Sequence, residues 1–341
     1  MSIQTLRRAA ALLEVLGVYL AGVFLENQIE RLLVHRRLIS TANPFNLLTA
    51  QTTNAELLVA SRQLFLALML QYGAYFLLII PINWWYRQRG RAAYGLTRAG
   101  RPWKTLILAA FATSVLTQWP VFVHTLIDVV HPLGAMAPWR QAFFDMSWRR
   151  WQFWLFAGIL SYALIPVLEE LIFRGYYQRR LAEDWGDGPA IIGVACLFTF
   201  AHPQYLIANA YNISMIASLL FLAIGLGVVF AWTRSIVPSM IAHAIINVPL
   251  TPRLQGALLV VFAIGAFFAW RGGIKAVKQV FRDTSVPACI ALAVLLTLYT
   301  IEAHRIHAMT QIAIGLLVLA LILEGIDRRK SRSAMVASVL A

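Results

Sequence analysis

Long apolar runs separated by short basic gaps dominate the pattern along this 341-residue chain. The runs cover roughly 8 to 26, 57 to 86, 105 to 130, 152 to 180, 189 to 203, 211 to 232, 235 to 250, 254 to 270, 286 to 303 and 308 to 326. Polar and apolar side chains do not alternate within them, so strand periodicity is absent. A helix satisfies its own backbone in hydrocarbon, where no water is available to do so. The pattern therefore predicts an all-α, polytopic transmembrane bundle of about ten membrane segments. It divides into N-terminal helices (1–150), a core (151–253) that holds the candidate chemistry, and C-terminal helices (254–341).

Composition narrows the class. Hydrophobic residues make up 60% of the chain and charged ones 13%, and the mean hydropathy of +0.69 excludes an ordinary soluble domain. A net charge of +14 raises nucleic acid as a partner, but the Lys and Arg residues lie between the apolar runs. They read as topology signals beside a lipid bilayer, with no nucleic acid implied. With the N-terminus cytoplasmic, twenty basic residues fall in cytoplasmic gaps, Arg174 and Arg180 among them. Eight fall on the other side and Arg62 lies inside a span, so both termini are expected in the cytoplasm. Arg7 and Arg8 precede a run interrupted by Glu14, and no small-residue cleavage site follows, so an uncleaved first span is expected. Cys196 and Cys289 both sit in apolar runs and read as packing residues.

Against this background the stretch PVLEELIFRG, residues 166–175, stands out. A charge at mid-bilayer costs about 2.5 to 3.5 kcal/mol on insertion scales, so such residues normally face a protein interior and have a function. Successive residues on a helix point about 100° apart, which gives Glu169 and Glu170 separate surroundings. Glu170 and Arg174 are spaced i and i+4 and can pair on one face. Glu169 has no sequence-local partner, which makes it the candidate base. Glu170 with Arg174 is equally well explained as an ion pair that only fixes packing.

Two further groups reach a similar depth. Glu169 lies roughly 16 Å from the cytoplasmic end of its helix, His202 roughly 20 Å along the next, and His243 and Asn247 roughly 12 and 18 Å along a third. Pro203 pushes His202 out of the α region, so that helix ends or kinks at the histidine. His243 and Asn247 in HAIIN share a face, and together they offer hydrogen-bond donors to an oxyanion. Either histidine alone would read as an interhelical hydrogen bonder. Gly225 and Gly227 read as close-packing positions between helices. Glu14, Arg62, Glu302, Glu324, His124, His131, His304 and His307 read as interfacial or packing groups.

Taken in order, Glu169-Glu170 with Arg174, Phe198 to His202 and His243 to Asn247 resemble the EExxxR, FxxxH and HxxxN motifs of the CAAX-processing and bacteriocin-processing (CPBP, Abi-like) intramembrane proteases. The resemblance covers residues 160–250. It implies a helical protease core in which Glu169 and His202 activate water, His243 and Asn247 stabilise the oxyanion, and Glu170 and Arg174 support them. The implied activity is an intramembrane endopeptidase acting on a peptide or protein substrate at the membrane, here a bacterial plasma membrane. Whether the mechanism is metal-free is open, because Glu169, His202 and His243 also form a two-His, one-carboxylate set of the zinc type. Asn247 favours the metal-free form, since Asn is a poor zinc ligand. Two other classes also account for the motifs: a non-catalytic immunity or scaffold protein that retains them, and a proton-coupled carrier, which the lack of a repeated motif disfavours.

Overall fold

The computed structural model describes residues 3–38, 53–86, 94–131, 150–248 and 252–303, together with 312–313, 315–320 and 322–323. Among these residues every long regular element is helical. The elements are α1 (Ile3–His35), α2 (Asn54–Pro81), α3 (Trp103–Thr117), α4 (Trp119–Val130), α5 (Trp151–Trp185), α6 (Asp187–Phe200), α7 (Ala210–Thr233), α8 (Val237–Asn247), α9 (Pro252–Val280) and α10 (Val286–Ala303). Part of the expected tenth run lies outside the described residues, as do Arg87, Arg89, Arg91, Arg140, Arg149, His304, Arg305, His307, Glu324 and the basic residues from 328 onward. Six helices are long and apolar enough to cross a membrane, and α3, α6 and α8 are shorter apolar helices. The chain is an integral membrane protein.

Local chemistry explains the breaks. The single run expected from 105 to 130 is divided at Gln118 into α3 and α4, because Pro120 sits in the first turn of α4, where a missing N–H costs nothing. Thr53 and Glu56 close a capping box at the start of α2. Gly186, at φ 87°, ends α5 in a conformation that suits glycine and lets α6 begin at once. The α6 helix stops at Phe200, and His202 takes extended angles (φ −103°, ψ 77°) before a short 3₁₀ turn at Pro203–Tyr205. The break expected from the His-Pro pair is therefore found two residues before the histidine.

Around α6 the bundle is tightest. Its face carries Ala190, Ile191, Val194, Ala195, Leu197 and Phe198, all buried. The α7 and α10 helices pack on it, and Gly193 permits the approach of α10, since a Cβ there would stand 2.9 Å from Leu296 and 3.0 Å from Leu292. Outward-facing residues of α9 such as Val260, Val261, Ile264, Phe267 and Phe268 are exposed, as a lipid-facing surface requires.

Polar side chains join the helices at their backbones. Arg174 Nη2 donates to the Ala223 carbonyl at 3.0 Å and Gln178 Nε2 to the Gly227 carbonyl at 2.9 Å, two contacts one turn apart on both α5 and α7. A Cβ on Gly227 would approach Gln178 Oε1 to 2.9 Å, and one on Gly225 would meet Thr117 of α3. Close packing is the role read for both glycines from the sequence. From the same stretch of α5, Arg180 donates to Glu14 at 2.9 Å and to Asp184 at 2.6 Å, and the Tyr176 hydroxyl donates to Glu14 at 2.7 Å. Arg180 and Arg174, counted in the sequence as charges of a cytoplasmic gap, are instead both buried and ion-paired.

The α6–α10 contact makes a direct prediction. Gly193→Val overpacks against Leu292 and Leu296 and is expected to cost about 1–3 kcal/mol. In detergent this reads as a lower unfolding temperature, with recovery when Leu296→Ala is added; an unchanged midpoint in the single variant contradicts the packing.

Candidate active site

Three motifs on α5, α6 and α8 meet at the ring of Phe198. The guanidinium of Arg174 lies 4.8 Å from its centroid, the His202 ring 4.9 Å and the His243 ring 5.9 Å away. Phe173 packs edge-on from α5 at 5.0 Å. Phe198 is itself 1% exposed. An arene is suited to this place because its face attracts the cation while its body fills apolar space.

Beside that ring sits a buried charged cluster. Glu170 Oε1 accepts from Arg174 Nη1 at 2.8 Å and faces His243 Nδ1 at 2.9 Å. Glu170 and Arg174 are both 0% exposed. The i, i+4 pair expected from the sequence is therefore formed, and it also holds the histidine of the third motif. On the other edge of the imidazole, Nε2 lies 3.7 Å from Glu169 Oε2. His243 thus stands between the two adjacent carboxylates, which diverge as neighbours on a helix must. The turn from Leu171 to Gln178 is widened to the π form, a distortion that recurs at functional sites.

Glu169 has a partner that no motif announces. The Tyr72 hydroxyl, from α2, donates to Glu169 Oε1 at 2.6 Å across 97 positions of sequence. Nothing local to either residue signals this contact; only a tyrosine inside an apolar run hints that a hydroxyl needs an acceptor.

The tautomers follow from the acceptors. His202 Nδ1 lies 2.7 Å from the Phe198 carbonyl, and a carbonyl only accepts, so Nδ1 carries the proton and Nε2 is the acceptor nitrogen of the neutral ring. By the same logic His243 Nδ1 donates to the Glu170 carboxylate. Asn247 sits at the end of α8, where Nδ2 donates to the Ser161 carbonyl of α5 at 3.3 Å. Glu170 Oε2 and Arg174 Nε are buried without a hydrogen-bond partner among the described residues.

The zinc-type set named from the sequence was Glu169, His202 and His243. Among the described residues no three His, Cys, Asp or Glu side chains converge as a metal ion requires. The donor set as placed does not fit a metal.

Residues 150–249 match the family model described as Rce1-like, type II CAAX prenyl endopeptidase. The segment is similar to that family over 100 of the chain's 341 residues. It runs from the start of α5 to the end of α8, and so contains Glu169, Glu170, Arg174, His202, His243 and Asn247. The match coincides with the stretch that carries the three motifs. No curated protein and no solved structure matches the chain. Tyr72 and Glu14, which contact the Rce1-like segment, come from helices outside it.

The cluster predicts unequal effects for its two members. Glu170→Gln strands the buried Arg174 charge and is expected to cost about 3–5 kcal/mol. Replacing both, as Glu170→Gln with Arg174→Met, recovers most of that loss in an unfolding experiment. A single substitution that leaves the midpoint unchanged contradicts the buried pair.

Proposed function

We propose that this protein is an intramembrane endopeptidase that hydrolyses a peptide bond of a membrane-associated substrate by a metal-free, glutamate-dependent mechanism. The reading is carried by the placement of His243 between Glu169 and Glu170, next to the Phe198 ring that also supports His202. In it, Glu169 and His202 accept hydrogen bonds from a water, Glu169 through Oε2 and His202 through Nε2. As the water oxygen bonds to the scissile carbonyl carbon, one of its protons passes to Glu169. The oxyanion is met by protonated His243 Nε2 and by Asn247, donors of the kind that typically contribute a few kcal/mol each. When the C–N bond breaks, the amine leaves with the proton held by Glu169.

Glu170 and Arg174 act on His243. Arg174 shares Glu170 Oε1 with the imidazole and neutralises the carboxylate, so His243 Nδ1 is held as a donor and Nε2 is left directed at the reacting side. This ordering of imidazole by carboxylate is the same physical device that other hydrolases use to fix a catalytic histidine. The basic gaps in the sequence support an orientation with both termini cytoplasmic. A prenylated peptide ending in a CAAX sequence is the first probe, because it is the substrate class in the description of the matching family.

In proteoliposomes carrying the full-length protein and a farnesylated, quenched fluorogenic CAAX peptide, Glu169→Gln is expected to lower kcat by about a hundredfold or more. Its unfolding temperature should stay at the wild-type value. A folded Glu169→Gln protein with wild-type turnover overturns the mechanism, and one that keeps its biological effect without cleavage points to the scaffold reading.

A further inference from the structure

The Tyr72 hydroxyl is buried within the apolar cluster that α1, α2, α5 and α6 share, together with Val15, Tyr19, Ile79, Phe173 and Phe198. Burying a phenol without a hydrogen bond costs more than the oxygen-free ring would. Among the described residues, the hydroxyl's hydrogen-bond partner is Glu169 Oε1 at 2.6 Å. The adjacent turn of α2 meets α1, where Tyr75 lies near Tyr19 at 6.4 Å between centroids.

The two oxygens of Glu169 consequently have different surroundings. Oε1 is held by Tyr72, and Oε2 faces His243 Nε2 at 3.7 Å. Without the first contact, the carboxylate can rotate about its terminal torsion, a broad and soft degree of freedom in glutamate. We infer that Tyr72 is a positioning residue, contributed by α2 from outside the Rce1-like segment, which fixes the Glu169 carboxylate so that Oε2 is presented to the reacting water. The catalytic consequence rests on the endopeptidase reading; the contact itself does not. The inference also gives the N-terminal helices a part in the chemistry, because α1 holds α2 in place and α2 holds Glu169.

Tyr72→Phe removes one oxygen and keeps the ring, so the cluster stays filled. In the proteoliposome assay with the farnesylated CAAX peptide, it is expected to lower kcat about tenfold, since small misplacements of a catalytic group are costly, while KM stays within about twofold. Tyr72→His, which can still donate a hydrogen bond, should recover more turnover than Tyr72→Leu. Wild-type kcat in Tyr72→Phe overturns the proposal, and so does a loss shared equally by kcat, KM and the unfolding temperature. If the wild-type protein leaves this peptide intact, the endopeptidase reading fails for that substrate, and a spectroscopic measurement decides the positioning contact. With 3-fluorotyrosine at position 72, the fluorine resonance should shift when Glu169→Gln removes the carboxylate charge, and an unshifted resonance overturns the contact.

Discussion

Arg174 is the constraint on which the rest of the site depends. A guanidinium with no exposed surface must be compensated inside the protein, and three neighbours do so, although its Nε has no hydrogen-bond partner among the described residues. Glu170 supplies the countercharge, the Ala223 carbonyl of α7 takes a second N–H, and Phe198 of α6 offers its face to the cation. Each of these partners lies on a specific helix at a specific height. Satisfying one buried charge therefore fixes how α5, α6 and α7 stand relative to one another, and through Glu170 it also fixes His243 on α8.

The same arrangement gives the two adjacent glutamates different surroundings. Adjacent glutamates on one helix diverge: Glu170 is committed to Arg174 and His243, while Glu169 is held from the opposite side by Tyr72. The remaining Glu169 oxygen, Oε2, faces His243 Nε2 at 3.7 Å. A second buried network, Glu14 with Tyr176 and Arg180, holds α1 against the C-terminal part of α5 and so keeps the long helix in register with the N-terminal pair. The α10 helix, which carries no candidate chemistry, buttresses α6 through Gly193 and so supports the helix that bears Phe198.

Much of this is legible along the chain. Apolar runs and basic gaps determine a helical membrane bundle, because hydrocarbon admits few other ways to satisfy a backbone. The pairing of Glu170 with Arg174 follows from i, i+4 spacing, and the end of α6 near His202 follows from the proline after it. These are local consequences of helix geometry and of the proline ring, so a few residues suffice to read them. The division at Gln118 was missed because Pro120 also fits inside a continuous apolar run.

Only the tertiary structure decided which groups meet. That Tyr72 reaches Glu169, that Arg180 is buried on Glu14 and not exposed in a basic gap, and that His243 divides the two carboxylates all depend on contacts 73 to 166 positions apart. Such pairings leave no periodicity, since any helix in the bundle could present the complementary group. They are set by the packing of one helix on another and by the requirement that a charge buried in that packing find its partner there.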